Sequence, residues 1–168
     1  RALDIRSAFI GLLLLTPVML VVGLLVRLTS KGPALYHQER VGQGGRVFTV
    51  HKFRSMRQDA EAGTGAVWAQ ARDSRITPIG GFLRRTRLDE VPQLWNVLMG
   101  DMAMVGPRPE RPEFVGQLTE QIPFYGLRHS VRPGVTEWAQ VRYTYGASVE
   151  DSMEKLQYDL FYIKHMTV

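Results

Sequence analysis

The chain has 168 residues, a formal net charge of +5 and no cysteine, and its pI is about 9.8. The length suits one modest domain with a core. The lack of cysteine excludes a disulfide framework, thiolate catalysis and zinc–cysteine sites. The basic balance favours anionic partners: phosphates, nucleic acid or acidic lipid. Because the chain begins without methionine and ends in a patterned segment, we expect a fragment of a longer protein.

The first feature along the chain is an uncharged apolar segment, residues 8–26, AFIGLLLLTPVMLVVGLLV. A membrane helix needs about 20 such residues, and no signal-peptide cleavage site follows. Pro17 lies at its centre, where a proline removes one backbone hydrogen bond and clashes with the preceding turn. Thr16 is positioned to bond a carbonyl that the proline frees. We therefore predict a membrane helix with a break at Thr16 and Pro17.

The flanks of this segment leave two topologies open. Cationic residues precede it and follow it, and such residues prefer the cytoplasmic side: Arg1, Arg6, Arg27 and Lys31. A re-entrant helix, which enters the membrane, breaks at Pro17 and returns, would keep both flanks on that side. A spanning helix with a mild kink is the alternative.

A β-hairpin is predicted next. ALYHQER (34–40) and RVFTVHKF (46–53) are rich in strand-forming residues and are joined by a turn at Gly42 to Gly45. Residues two apart on a strand share a face, so Lys52 and Arg54 should point the same way. They are either a pair that faces a phosphate or ordinary cations on a solvated strand.

The densest group of charged residues starts the next patterned segment. Residues 86–100, TRLDEVPQLWNVLMG, have apolar residues at helical spacing, with Asp89 and Glu90 in the first turn and Gly100 at the end. A helix N-terminus attracts phosphate, and the preceding arginines should hold Asp89 ionised by lowering its pKa. Two carboxylates beside a phosphate would bind a hard cation, most simply Mg²⁺. The alternative is a pair of acids that offsets the helix dipole.

Two arginines are held by prolines further on. Pro107 and Pro109 fix the backbone on either side of Arg108, whose guanidinium matches the planar geometry of phosphate oxygens. Arg132-Pro133-Gly134 repeats this pattern, and an ordinary surface turn is the alternative in both places. The histidines show no metal spacing, which favours structural roles: His37, His51, His129 and His165. Aromatic candidates for stacking on a nucleotide or sugar are Trp68, Trp138 and Tyr143.

Four segments together resemble the bacterial sugar transferases, the monotopic phosphoglycosyl transferases, and they occur in that family's order. They are SKGPALYHQERVGQGGRVFTVHKFRSM (30–56), RLDEVPQLWNVLMGDMAMVGPRPERPEF (87–114), RPGVTEWAQV (132–141) and YDLFYI (158–163). The resemblance implies transfer of a sugar-1-phosphate from a UDP-sugar to a polyprenyl (undecaprenyl) phosphate, with release of UMP. It also implies dependence on Mg²⁺, a role in starting glycoconjugate or exopolysaccharide synthesis, and a site on the cytoplasmic face of the bacterial inner membrane.

The family's motif also implies residue roles. Asp89 would be the nucleophile that forms a covalent phospho-sugar intermediate, and Glu90 its acidic partner, both at the metal. The substrate-binding residues would be Lys52, Arg54, Arg87, Arg108 and Arg132. Two positions depart from the family's pattern: Arg87 stands where serine is frequent, which leaves Thr86 as the helix cap, and Glu137 stands where glycine is frequent.

The expected fold is α+β, a mostly helical monotopic membrane domain with a re-entrant helix over 1–30 and a catalytic unit over 31–168. The unit should contain the small hairpin and amphipathic interfacial helices, and the resemblance implies the catalytic domain of a larger member. A membrane-anchored Mg²⁺-dependent phosphatase or pyrophosphatase is the alternative activity, and a non-catalytic basic module the third. We expect membrane lipid but no nucleic acid as a partner. The sugar and the oligomeric state, a homodimer included, stay open.

Overall fold

The computed structural model describes residues 1–63, 65–68, 73–142 and 148–166. Tyr143 lies outside these residues. The helices are α1 (Ala2–Thr29), α2 (Pro78–Thr86), α3 (Gln93–Met99), α4 (Pro112–Gln121), α5 (Trp138–Arg142) and α6 (Val149–His165), and the strands are β1 (Leu35–Val41), β2 (Val47–Phe53), β3 (Ala103–Val105) and β4 (Gly134–Thr136). Short 3-10 turns lie at Gln43–Gly45, Leu88–Glu90 and Tyr125–Ser130. The α+β class and the hairpin predicted from the sequence are confirmed.

Helix α1 is continuous over 28 residues and passes through Pro17. The break predicted at Thr16 and Pro17 is therefore not seen in the backbone. A proline at this position leaves the carbonyl of Leu13 without its usual donor, but the neighbouring hydrogen bonds of the helix remain. Thr16 Oγ1 donates to Leu12 O at 2.6 Å, so it bonds its own fourth-preceding carbonyl and not the one freed by the proline. The return of the chain to one membrane side stays a prediction.

Helix α1 packs on the rest of the domain near both of its ends. Ala8 is completely buried in a cluster that includes Leu94 of α3, and Val26 is completely buried in a second cluster with Phe53 and Leu83. Between and around these contacts, large apolar side chains are 40–73% exposed: Leu3, Ile5, Phe9, Ile10, Leu13, Leu14, Val18, Leu20, Val21, Leu24, Leu25 and Leu28. Among the described residues, α1 is the helix long and apolar enough to cross a membrane.

Polar contacts add to the packing at the start of α1. Arg1 Nη2 donates to Leu98 O at 3.2 Å, and Asp4 Oδ1 accepts from the backbone N–H of Met104 at 3.0 Å. The first turn of the apolar helix is thereby tied to the end of α3 and to β3. These bonds fix the helix against the elements that carry the charged residues described below.

Strands β1 and β2 form the predicted antiparallel hairpin, with Tyr36 opposite Lys52 and Arg40 opposite Phe48. The turn is possible because Gly44 and Gly45 adopt positive φ angles of 68° and 76°. Val50 of β2 is 1% exposed and packs under α3 in the same cluster as Ala8. The hairpin therefore joins the apolar helix to the segment with the paired carboxylates.

The helix predicted over residues 86–100 is divided in two. Leu88–Glu90 forms a 3-10 turn and α3 begins only at Gln93, because Arg87 is in the left-handed region (φ 60°) and Pro92 has no N–H to donate. Thr86 is not an N-cap, since its hydroxyl donates back to Phe82 O at 3.0 Å at the end of α2. Gly100 ends α3 as predicted, with φ 99°.

Helix α2 is held against the end of the hairpin. Thr77 N–H donates to Ser55 O at 3.0 Å, and the Thr77 hydroxyl caps the helix by accepting from Gly80 N at 3.0 Å. A side chain at Gly80 would overlap the carbonyl of Ser55, so the close approach requires glycine. Arg84 Nε donates to Ser55 Oγ at 2.9 Å. These contacts set the position of the turn that follows α2.

Strands β3 and β4 form a short parallel pair that places the two proline-flanked arginine segments side by side. Gly134 N–H donates to Pro107 O at 3.0 Å, and Gly106 N–H donates to Thr136 O at 3.0 Å. Helices α4 and α6 and the Tyr125–Ser130 turn pack beside this pair around Leu118, which is 2% exposed.

Candidate active site

Asp89 and Glu90 lie on the 3-10 turn between α2 and α3, and each residue is 7% exposed. Helix α2 ends at Arg87, whose backbone is left-handed and turns the chain. The two carboxylates that follow therefore point into the domain and not into solvent. Buried carboxylates need partners or a function, because removal of a charge from water is costly. Their partners differ sharply.

Glu90 is held by cations. Both nitrogens of the Arg108 fork bond its carboxylate: Nη2 contacts Oε1, and Nη1 donates to Oε2 at 3.3 Å. Lys52 Nζ lies 3.4 Å from Oε1, and Arg87 Nη1 lies 4.0 Å from the same atom. Burial alone would raise the pKa of Glu90, but the charges of Arg108 and Lys52 outweigh it and lower the pKa to about 2. Glu90 is therefore ionised at any physiological pH.

Asp89 has the opposite environment. Its Oδ1 is buried and has no hydrogen-bond partner within the described part of the chain. Burial and the adjacent charge of Glu90 raise the pKa of Asp89, and Lys52 and Arg84 offset this only in part. The expectation that arginines would lower the pKa of Asp89 is wrong, because the closest cations bond Glu90 instead. The two acids lie on the 3-10 turn that precedes the seven-residue α3, and not in the first turn of an α-helix as predicted.

Beside Glu90 is a small recess lined by Arg40, Val50, Lys52, Gln93, Arg108 and Pro109. Burial, and then the charge of Arg108, lower the pKa of Lys52 to about 7. Gln93 is 2% exposed and its Nε2 has no hydrogen-bond partner among the residues described. Arg40 Nη1 donates to Pro109 O at 3.0 Å. The recess thus combines the cations Lys52 and Arg108 with the unpaired amide donor of Gln93, and such donors suit phosphate oxygens.

Sequence reasoning missed Arg40 and Gln93. Arg40 reaches the site through the hairpin register, which puts it on the same face as Lys52 across two strands. The period-2 rule that selected Lys52 would have selected Arg40 once the strands were aligned. Gln93 gives no signal beyond its place directly after Pro92, and only its burial in the folded chain identifies it.

Arg54 is not part of this cluster. Strand β2 ends at Phe53, so the two-residue period that would align Arg54 with Lys52 does not continue. The Arg54 side chain is 5% exposed and donates to the carbonyls that follow α1: Nη1 to Lys31 O, and Nη2 to Ser30 O at 2.9 Å. These contacts favour a structural role, the anchoring of the end of α1, over the predicted phosphate binding.

Arg132 is half-buried in the segment that precedes β4, beside the backbone of Gly106. Within the described residues its guanidinium has no side-chain hydrogen bond or ion pair. The two described tryptophans that were candidates for stacking differ in their contacts. Trp138 is 38% exposed, and its ring centroid lies 5.2 Å from Cζ of Arg142. Trp68 packs against Phe114, with the two ring centroids 4.8 Å apart. Trp138 is the more exposed of these two tryptophans.

The donor set suits a hard cation that substrate oxygens complete. No group of three or more histidine, aspartate or glutamate side chains able to hold a metal occurs among the described residues. Mg²⁺ normally takes one or two protein carboxylates and fills its other positions with water and phosphate oxygens. The unpaired Oδ1 of Asp89, next to the ionised Glu90, fits this pattern. His37 and His51 bond one another through Nδ1 at 2.8 Å on the hairpin.

The fold and the site define a domain with an exposed apolar helix and a buried carboxylate pair surrounded by cations. Residues 1–168 match the family model of the bacterial sugar transferases. The chain belongs to this family, as its motifs indicate.

Individual relatives agree with the family but differ in the sugar that their names give. The chain is 46% identical over 168 residues to the UDP-N-acetylgalactosamine-undecaprenyl-phosphate N-acetylgalactosaminephosphotransferase of Aeromonas hydrophila, covering 100% of this chain and 40% of the relative. It is 44% identical over 163 residues to the UDP-glucose:undecaprenyl-phosphate glucose-1-phosphate transferase of Xanthomonas campestris pv. campestris, covering 96% of this chain and 34% of the relative. The chain is 42% identical over 173 residues to the exopolysaccharide production protein PSS of Rhizobium leguminosarum bv. phaseoli, covering 100% of this chain and 86% of the relative. The chain therefore spans less than half of the first two relatives and most of the third.

Proposed function

We propose that this chain transfers a sugar-1-phosphate from a UDP-sugar to undecaprenyl or a related polyprenyl phosphate and releases UMP. The observation that carries the proposal is the buried carboxylate pair, in which Glu90 is bonded by Arg108 and Lys52 while Asp89 Oδ1 has no partner among the described residues, so that their pKa values are displaced in opposite directions. Such a separation marks two groups with different chemical roles. The named activities of relatives more than 40% identical over nearly the whole chain supply the substrate class.

Asp89 is the nucleophile. Its Oδ1 has no donor to stabilise its charge, and a carboxylate with a raised pKa is more basic and so more nucleophilic than one held by arginines. The oxygen attacks the sugar-linked phosphorus, the bond from that phosphorus to the oxygen of UMP breaks, and UMP leaves with the electron pair. An oxygen of polyprenyl phosphate then attacks the same phosphorus and releases Asp89 as a carboxylate.

Glu90 and the surrounding cations bind and orient the donor. Glu90, ionised throughout, holds Arg108 and Lys52 at the edge of the recess, where they meet the pyrophosphate oxygens. Arg132 and Arg87 add charge, and the unused Nε2 of Gln93 donates to an uncharged or phosphate oxygen. A bound phosphate raises the pKa of Lys52 from about 7, so Lys52 takes up a proton as the donor binds.

Mg²⁺ completes this proposal. Asp89 and Glu90 are the residues that would hold it, together with phosphate oxygens of the donor. Bound there, the ion supplies charge that reduces the repulsion between carboxylate and phosphate and stabilises the leaving UMP.

The placement of α1 supports an active site at one membrane surface. At 1.5 Å per residue, a helix of this length extends about 42 Å, against roughly 30 Å of hydrocarbon. Both of its ends contact the same domain, through Arg1 and Asp4 at the start and Arg54 at the end, so a perpendicular span would pull the domain apart. These contacts support a helix that lies in one leaflet. The cationic flanks Arg6 and Lys31 support the further proposal that the membrane is the inner membrane and that the catalytic unit lies on its cytoplasmic face. Phe82 of α2 and Trp95 of α3, 47% and 51% exposed, would lie at the interface.

The experiment is a UMP-release assay of the purified chain with a panel of UDP-sugars and Mg²⁺, with and without polyprenyl phosphate. The proposal predicts sustained turnover only when the lipid phosphate is present. A phosphatase or pyrophosphatase would turn over equally well without lipid. Asp89→Asn should abolish turnover and retain association with vesicles, whereas Asp59→Asn, an exposed turn aspartate, should leave both intact. Failure of every UDP-sugar to yield UMP would overturn the proposal.

A further inference from the structure

Behind the active site lies a buried ionic network that the transfer chemistry does not use. Arg128, 7% exposed, lies 2.8 Å from Asp159 Oδ2 of α6 and 3.6 Å from Glu137 Oε1, and it donates to the Tyr125 hydroxyl at 2.6 Å. The two carboxylate residues are 2% and 4% exposed. Two buried acids around one guanidinium are costly unless the group is neutral overall.

A proton on Asp159 meets that condition. Burial raises the pKa of Asp159; the charge of Arg128 opposes this, and the neighbouring Glu137 carboxyl raises the pKa further. A proton on Asp159 leaves Arg128 balanced by one carboxylate charge, so the network is neutral overall.

This unit ends on the backbone of Arg108. The Arg108 N–H donates to Glu137 Oε1 at 3.1 Å, and the Arg108 carbonyl accepts from Arg128 Nη2 at 3.0 Å. Both backbone polar groups of Arg108 are thus held by side chains that lie 3.6 Å from each other. The Arg108 fork, on the other side of the same residue, bonds Glu90.

We propose that Glu137 is a positioning residue, which fixes the Arg108 backbone together with Arg128 and so aims the Arg108 guanidinium at the donor pyrophosphate. The carbonyls of Pro107 and Pro109 are bonded by the N–H of Gly134 and by Arg40, on either side of Arg108. Glu137 and Arg128 hold the backbone of the residue between them, from which the guanidinium projects. The role in catalysis rests on the proposed function, whereas the hydrogen bond to Arg108 does not.

The bond can be measured without any activity. Because Pro107 and Pro109 have no N–H, Arg108 carries the only exchangeable backbone amide of the segment 107–109. In hydrogen exchange of the folded chain, this amide should be protected in the native protein, exchange faster in Glu137→Ala, and stay protected in Glu137→Gln, whose amide oxygen can still accept the bond. An Arg108 amide that is equally protected in Glu137→Ala would overturn the proposal, whatever the protein catalyses.

The positioning role is then tested by kinetics. Glu137→Ala should lower kcat/KM for the UDP-sugar about tenfold to a hundredfold, as expected for a misplaced binding group, and leave the KM for polyprenyl phosphate unchanged. Glu137→Gln should retain most activity. Leu118→Val, a core change in the same part of the domain without contact to Arg108, should lower thermal stability but not kcat/KM.

A double-mutant cycle separates positioning from general stability. In the Arg108→Ala background there is no guanidinium to aim, so adding Glu137→Ala should cost little more activity. Multiplicative losses would show that Glu137 does not act through Arg108 and would overturn the proposal. If the native chain releases no UMP with any donor, the proposed function fails, and the exchange experiment still decides the bond between Glu137 and Arg108.

Discussion

Replacing Arg108 by lysine should impair the use of the UDP-sugar far more than it impairs folding. The guanidinium makes two contacts to Glu90, one through each terminal nitrogen, and Arg108 also lines the recess. Lysine keeps the charge but offers one donor centre, so it can replace only one of two contacts. A charge-assisted hydrogen bond contributes roughly 1.5–3 kcal/mol. Its loss in the transition state corresponds to roughly a tenfold to hundredfold fall in kcat/KM.

The assay is UMP release at varied UDP-sugar and fixed polyprenyl phosphate, with thermal unfolding measured on the same samples. Arg46→Lys is the matched control, because Arg46 is an exposed arginine in the hairpin turn. It should leave both measurements unchanged. The Arg108→Lys protein should unfold within a few degrees of the native chain. Unaltered kinetics in Arg108→Lys would mean that the fork is a surface feature, and the account of donor binding would be wrong.

Three further outcomes follow from the contacts. Gly80→Ala should lower the free energy of unfolding by roughly 1–3 kcal/mol, because the added Cβ meets a backbone oxygen. Gly81→Ala, whose Cβ would lie 3.9 Å from its nearest neighbour, should raise the free energy of unfolding by up to about 1 kcal/mol through helix propensity. Equal effects of the two substitutions in chemical denaturation would contradict the close approach of α2 to Ser55. The pKa of Glu90 is lowered from 4.5 to about 2, so its stabilisation is present above about pH 4.5 and lost as the pH falls through 2. Glu90→Gln should therefore destabilise on the order of 3 kcal/mol near neutrality and progressively less in acid, and a cost independent of pH would refute this. Single cysteines placed beside Arg6 and Lys31, in a chain with none of its own, should be labelled from one membrane side only; labelling from opposite sides would establish a spanning helix.

The local features of the site could be predicted from the sequence. The Asp89–Glu90 pair was identified by its arginine-rich context, and Arg108 by its two flanking prolines. Gly100 was predicted to end a helix, and it does. In each case the signal lies within a few residues, where backbone stereochemistry and charge act directly. Glu137 was noted as a departure from the family, although its contact with Arg108 could not be inferred.

What could not be predicted depends on pairing over long distances. Arg54 was grouped with Lys52 because nothing in the sequence states that β2 stops at Phe53. The pKa assignment of Asp89 failed for the same kind of reason: the sequence shows arginines nearby but not which carboxylate they contact. Arg128 had no local signal, since the acids that it contacts, Glu137 and Asp159, lie nine and 31 residues further along the chain.

The central claim is that Asp89 carries the phospho-sugar between the two half-reactions. Its most direct test is the intact mass of the protein after incubation with UDP-sugar and Mg²⁺ in the absence of lipid. The account predicts release of about one UMP per active chain and a mass increase of one sugar-1-phosphoryl group. Addition of polyprenyl phosphate should discharge the adduct, and Asp89→Asn should prevent it while Asp59→Asn does not. UMP release that strictly requires the lipid, with no adduct on the native chain, would contradict the claim.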